Sequence, residues 1–212
     1  MTLQERYKQV IEWFSANMPE ARSELDFSNP YELLVAVILS AQCTDKRVNT
    51  ITPAFFEAFP DAETLSQSSV EEVFEYIRTC SYPNNKAKHL VGMAQALCRE
   101  FNGQVPSTMD ELLSLPGVGR KTASVVLVCA FNKAAMPVDT HVFRVANRLG
   151  LTPGAKTPEQ SEVLLMKHFP EHLLGVAHHW LILHGRYVCQ ARRPKCLDCG
   201  LTSCCEYFNR NK

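Results

Sequence analysis

Apolar residues recur at helical spacing along most of the chain, and no stretch alternates convincingly as a strand does. That feature confines the fold to the all-α class, with short connections. Leu3, Tyr7, Val10, Ile11 and Phe14 predict an amphipathic first helix whose other face carries Glu5, Arg6, Lys8 and Glu12. Asn29 and Pro30 read as the cap and first residue of a second helix. Its apolar run over 33–39 implies a central, buried element. Further helices are predicted near 45–58, 69–79, 85–101, 108–114, 119–131, 139–149, 157–168 and 171–188. Asn102-Gly103 and Leu149-Gly150 read as helix stops. The 212 residues suffice for one domain or two small ones, and 46% apolar with 21% charged residues excludes disordered, collagenous and coiled-coil classes.

The longest apolar run, 123–131, falls well short of the roughly 18 residues of a membrane span. The first segment, MTLQERYKQVIEWF, lacks the basic-then-apolar order of a secretory signal, so a cytosolic protein is expected. Lys plus Arg equals Asp plus Glu at 22 each, and net charge gives no argument for a polyanionic partner. Its distribution does: residues 1–80 hold 6 basic and 13 acidic side chains, residues 81–212 hold 16 and 9. This fits a nucleic-acid surface, and it also fits ordinary charge fluctuation.

Cys43, Cys80, Cys98 and Cys129 are isolated, the last two in apolar helical contexts where a free thiol acts as a small hydrophobe. The other five cysteines crowd together near the end as Cys189-x6-Cys196-x2-Cys199-x5-Cys205, with Cys204 beside the last. Four thiolates in one loop can close a tetrahedral shell around one ion or hold the corners of a cubane cluster. Zinc usually takes two C-x2-C knuckles and only Cys196/Cys199 form one, which tilts the reading toward iron–sulfur without excluding zinc. Cys204 leaves the register of the fourth ligand open, and a metal-free Cys-rich tail is the plainer alternative. Arg186, Arg192, Arg193 and Lys195 lie around the loop with no acid between 186 and 197, an arrangement suited to phosphate.

The segment Leu115-Pro116-Gly117-Val118-Gly119-Arg120-Lys121-Thr122-Ala123 predicts a type II turn leading into a helix. Gly119 allows a second close backbone approach, so consecutive N–H groups can hold an anion at the helix start. A tight helix–helix turn whose glycines serve geometry alone explains the same residues. Lys121 sits at the positive end of that helix beside Arg120. Both disfavour an ammonium, which suits a nucleophilic amine; a plain phosphate contact is the alternative. Asp139 precedes Thr140-His141-Val142 as a helix N-cap, where a carboxylate could also steady a developing cation or accept a proton. His178, His179 and His184 lack a carboxylate at metalloprotease spacing and read as core residues beside Trp180 and Leu181. Alone, the run 40–45 says only that the chain turns there.

Together these motifs resemble those of the endonuclease III family of DNA glycosylases, within the helix-hairpin-helix superfamily. The resemblance runs from AQCTD at 41–45 through NNKAKHL at 84–90, LPGVGRKTA at 115–123, VDTHVFRVANRLG at 138–150 and HHWLILHGRYVC at 178–189 to the cysteine loop. It implies two all-helical domains flanking a DNA-binding cleft. Residues 23–133 would be a six-helix barrel with the helix-hairpin-helix, and 1–22 with 134–212 an iron–sulfur domain. It implies a [4Fe–4S] cluster on Cys189, Cys196, Cys199 and Cys205, with Cys204 outside the set. It makes Lys121 the nucleophile and Asp139 the catalytic carboxylate of a bifunctional DNA glycosylase/AP lyase that extrudes an oxidised pyrimidine. Gln42, Tyr82, Lys86, Gly117, Gly119, Arg120, His141, Arg144, Arg192, Arg193 and Lys195 would meet the DNA. Gln42 would help fill the gap left by the flipped nucleotide and Tyr82 would be the wedge, although Tyr82-Pro83 departs from the commoner Gly-hydrophobic-Tyr pattern.

The implied protein is a monomer acting on damaged double-stranded DNA, in the cytoplasm beside the nucleoid of a prokaryotic-type cell. The adenine-specific mismatch branch is disfavoured. Its members lack a lysine at the Lys121 position, their catalytic acid aligns with Ala36, and they tend to carry a further C-terminal domain, whereas this chain stops seven residues after Cys205. A non-catalytic DNA-binding or redox-sensing cluster protein is disfavoured by Lys121 and Asp139 together.

Overall fold

The structure, a computed structural model, describes residues 1–211. Among them are twelve α-helices and two short 3₁₀ turns, Glu171–Leu173 and Cys196–Asp198, and no strand. The helices are α1 (Leu3–Asn17), α2 (Pro30–Ser40), α3 (Asp45–Ala58), α4 (Ala62–Ser66), α5 (Val70–Ile77), α6 (Pro83–Phe101), α7 (Met109–Leu113), α8 (Arg120–Phe131), α9 (Thr140–Leu149), α10 (Pro158–His168), α11 (Leu174–Tyr187) and α12 (Glu206–Arg210). The helical periodicity located all of them except α4 and α12. Those two are five residues each, too short to display a period. No described helix is long and apolar enough to cross a membrane.

The chain divides into two compact units, Ser23–Lys133 and Met1–Arg22 with the chain from Ala134 onward. In the first, α2 is the hub. Asn29 caps it, its side chain accepting from the Glu32 amide at 2.9 Å, and Pro30 opens it. Tyr31 and every residue from Leu33 to Leu39 are buried, so no face of α2 is left to water. It packs on α3, α6 and α8. Phe55, Phe59, Leu65, Ile77, Leu90, Met93 and Leu97 complete this core.

In the second unit α1 packs with the C-terminal third of the chain. Thr2 and Glu5 close a reciprocal capping box at its start. Phe14 stacks on Trp180 with ring centroids 5.5 Å apart and planes 6° from parallel. The Trp180 indole donates to the Met18 carbonyl at 2.7 Å, and the Tyr7 hydroxyl to the Leu151 carbonyl at 2.9 Å. Arg6 reaches the carbonyls of Gly150 and Cys204. Anchoring at both ends of α1 explains how a helix 120 residues away in sequence joins this core. Phe14 has no exposed surface, so Phe14→Ala should lower the unfolding free energy by about 3–5 kcal/mol; denaturant titration followed by tryptophan fluorescence checks this.

Candidate functional site

In the 23–133 unit the Leu115–Gly119 turn joins α7 to α8. Thr108 caps α7 through the Glu111 amide, and the Val118 amide closes the turn onto the Leu115 carbonyl at 3.1 Å. Gly117, at φ +78°, supplies the positive φ that a type II turn demands. A Cβ there would lie 2.7 Å from His89 Cβ, so the protein itself requires this glycine. Gly119 differs. Its backbone is extended (φ −95°, ψ 174°) and a Cβ would meet nothing within 4 Å. Nothing within the protein requires a glycine there. As the N-cap of α8 it supplies no side-chain oxygen, so the first amides of α8 keep their donors for an outside acceptor. Arg120 and Lys121, on the first turn of α8, are exposed beside those amides.

A second feature of this unit is a pair of corners. Gln42 (φ +55°) ends the turn after α2 and Tyr82 (φ +54°) precedes α6. Both are exposed non-glycine residues in the left-handed region, a conformation that costs about 1–3 kcal/mol and collects at functional positions. The corners adjoin: the Ser81 hydroxyl donates a short hydrogen bond to the Gln42 carbonyl, and the sulfurs of Cys43 and Cys80 lie 4.0 Å apart. The reading of these two cysteines as isolated is thereby corrected, since a 37-residue separation hid their contact. Tyr82 is 62% exposed.

Lys86 requires a further correction. Its sequence position suggests a phosphate contact, but the residue is only 5% exposed. Its ammonium donates to the carbonyls of Leu39 and Ala41 at 2.7 and 2.8 Å, the otherwise orphaned acceptors at the end of α2. Burial lowers its pKa, while the neighbouring thiols Cys80 and Cys43 pull the other way. Lys86 therefore holds the Gln42 corner in place. His89, one turn further along α6, packs against Gly117, a neighbour that sequence reading missed; its spacing from Lys86 is the signal that could have shown the shared face.

In the other unit Asp139 caps α9, and a single oxygen, Oδ1, accepts from the amides of His141 and Val142, both at 2.8 Å. The cap thus leaves Oδ2 for other use. Arg144 is half-buried, and its guanidinium donates to the carbonyls of Cys189 and Gly185 at 3.1 and 2.8 Å and lies 3.2 Å from the half-buried His141 ring. Arg144 thereby braces the start of the cysteine loop. Arg148 does similar work, donating to the carbonyls of Gln190 and Ala191 and stacking on Tyr207. Arg192, Arg193 and Lys195 stand exposed on the loop itself.

Cys189, Cys196, Cys199 and Cys205 line one cavity that opens to solvent. Cys204 is turned away, its thiol against the Leu201 carbonyl. Among the described residues no three His, Cys, Asp or Glu side chains converge tightly enough to hold a single ion. Four thiols around one cavity are a donor set whose chemistry fits an iron–sulfur cluster. Burial pushes the Cys199 and Cys205 thiols up, and the nearby cysteine charges push the same way; a cationic group among the sulfurs reverses that. Arg148 Nη1 and His184 Nε2 each lie 3.6 Å from a ligand-set sulfur, on Cys189 and Cys199 respectively. The three histidines are buried as expected. His178 Nδ1 meets the Pro137 carbonyl at 2.8 Å, and burial together with Arg186 holds His179 down to about 4.

Residues 35–171 match the model of the HhH-GPD superfamily base excision DNA repair proteins. Endonuclease III of Rickettsia felis is 46% identical over 94% of this chain and 93% of its own, and that of Escherichia coli K12 is 44% identical over 94% of each. A solved structure of a trapped endonuclease III–DNA covalent intermediate, 38% identical, superposes with a TM-score of 0.93 over 100% of this chain and 99% of that one. A thermostable thymine-DNA glycosylase, 26% identical, gives 0.82 over 98% and 97%. The chain belongs to the endonuclease III family, within the HhH-GPD superfamily.

The two glycines of the hairpin should separate by experiment. Gly117→Ala meets both strain and His89 and should cost on the order of 1–3 kcal/mol of stability. Gly119→Ala should stay within about 1 kcal/mol of the parent, cap loss and backbone stiffening opposing each other, while weakening duplex binding. Thermal unfolding and fluorescence anisotropy on labelled duplex read the two effects.

Proposed function

We propose that the chain excises oxidised pyrimidines from damaged double-stranded DNA with Lys121 as nucleophile and Asp139 as its carboxylate partner. Membership of the family makes it a base excision repair DNA glycosylase with AP lyase activity. The observation that carries the residue assignment is the exposure of Lys121 two positions after the open amide turn at Gly119. One element then offers both a seat for a phosphate and an amine beside it.

A stacked base hides its glycosidic bond, so the nucleotide has to be extruded first. The deprotonated Nζ of Lys121 attacks C1′ of the deoxyribose. The C1′–N bond breaks, its electron pair leaves with the base, and the base takes up a proton. Loss of the amine proton and ring opening give a Schiff base. Removal of a C2′ proton then expels the 3′ oxygen by β-elimination and nicks the strand. The Oδ2 atom of Asp139, spare after the N-cap bonds, is available to steady positive charge at C1′ or to take a proton. Gln42 and Tyr82 occupy the gap in the stack, with the aromatic ring against the orphan base. Arg120, Arg192, Arg193 and Lys195 meet phosphates.

Cys189, Cys196, Cys199 and Cys205 would hold a [4Fe–4S] cluster, whose part is to pin the loop that displays those cations. The 23–133 unit corresponds to the six-helix barrel with the helix-hairpin-helix, and the other unit to the iron–sulfur domain. The enzyme works as a monomer in the cytoplasm of a prokaryotic-type cell, beside the nucleoid.

Borohydride should trap the protein covalently on duplex containing thymine glycol, and Lys121→Ala should abolish trapping while preserving duplex binding; trapping by the Ala variant refutes the nucleophile. Asn caps helices as well as Asp. Asp139→Asn should therefore leave stability within about 0.5 kcal/mol and slow turnover on the order of 100-fold or more. Equal turnover with lost thermal stability would reduce Asp139 to a cap.

A further inference from the structure

Cys43 and Cys80 belong to no step described above, yet they sit where the two corners meet. Cys43 follows Gln42 directly, and Cys80 lies two residues before Tyr82. Their sulfurs are 4.0 Å apart, the Cys43 thiol directed at the Cys80 sulfur, and no disulfide joins them. The two differ in access: Cys80 is 5% exposed and Cys43 is half-buried. One thiol that solvent can reach, beside one that it barely can, is the arrangement of an attacking and a resolving cysteine.

We propose that Cys43 and Cys80 form a reversible disulfide with low-molecular-weight disulfides as the oxidant, a modification that shifts the Gln42 and Tyr82 corners and slows repair. Its effect on repair rests on the function proposed above; the formation of the bond does not. The Cys43 thiolate attacks one sulfur of RSSR, forming a mixed disulfide and releasing RS⁻. The Cys80 thiolate then attacks Cys43 Sγ, forming the Cys43–Cys80 bond and releasing the second RS⁻. Two protein thiols are oxidised, one RSSR is reduced to two RSH, and the two protein protons end on the released thiols.

The surroundings act on the second step in both senses. Burial raises the Cys80 thiol to about 11, and the charge of Cys43 adds to this, whereas Lys86 and Arg47 act in the opposite sense. Once Cys43 is a mixed disulfide its charge is gone and the two cations remain.

The bond also has a mechanical consequence. A disulfide needs its sulfurs about 2.05 Å apart, so the pair must close by about 2 Å. The corners are already tied by the Ser81–Gln42 bond and by Lys86 on the Ala41 carbonyl. Gln42 and Tyr82 occupy left-handed backbone conformations with little room to absorb a shift. Movement of about 1 Å in a positioning element can cost on the order of 100-fold in rate.

The test treats the full-length chain as purified with oxidised glutathione, alkylates the remaining thiols and maps the peptides by mass. The expected result is a peptide linking Cys43 to Cys80, two fewer alkylatable thiols and nicking of thymine-glycol duplex slowed at least about tenfold, all reversed by dithiothreitol. Cys43→Ser should nick at the parent's untreated rate, form no link and ignore oxidised glutathione, whereas Cys98→Ser should respond as the parent does. The proposal is overturned if no Cys43–Cys80 peptide forms under conditions that glutathionylate other thiols. It is equally overturned if the linked protein nicks at the reduced rate, or if Cys43→Ser is inhibited like the parent. A reduced chain that never nicks damaged duplex refutes the enzymatic function, and a linked peptide in that same chain still supports the disulfide.

Discussion

The ammonium of Lys86, buried against the last carbonyls of α2, fixes the geometry of the 23–133 unit. A cation taken out of water is costly unless its protons find acceptors, and the C-terminal end of a helix supplies both acceptors and a favourable dipole. This contact joins α2, buried from Leu33 to Leu39, to α6, whose other residues on the same face adjoin the hairpin. Tyr82 opens α6, His89 packs beneath Gly117, and the Gly92 backbone lies against Pro116. One helix therefore sets both the Tyr82 corner and the hairpin that carries the amides.

In the other unit α9 has a comparable part. Asp139 caps its start, and Arg144 and Arg148, on successive turns, donate to the carbonyls of Cys189, Gln190 and Ala191. The cations of α9 shape the cysteine loop from within, while those of the loop, Arg192, Arg193 and Lys195, face solvent. Charges adjacent in sequence thus divide into structural and surface roles. Gly185 permits this closeness, since a Cβ there would stand 2.9 Å from His141 Cβ.

The hairpin shows how far a motif can be read without coordinates. Pro-Gly announces the turn, and the turn forms with the expected positive φ at Gly117. Whether each glycine serves the fold or an external ligand was not legible. That depends on His89, which lies 28 residues upstream and fills the space over Gly117 while leaving Gly119 open.

The sequence by itself determined the helical class, the positions of the longer helices, the N-caps at Asn29 and Asp139, the amide turn before Lys121 and the four spaced cysteines. All are signals within one or two helical turns, or within one loop, and periodicity, capping and ligand spacing act over that range. Tertiary structure alone decided that Lys86 and Arg144 turn inward to carbonyls, that Cys204 leaves the cavity to the other four cysteines, and that Cys43 meets Cys80. Each depends on which distant backbone groups or thiols arrive beside a side chain, and a buried polar group takes whichever partner the packing delivers.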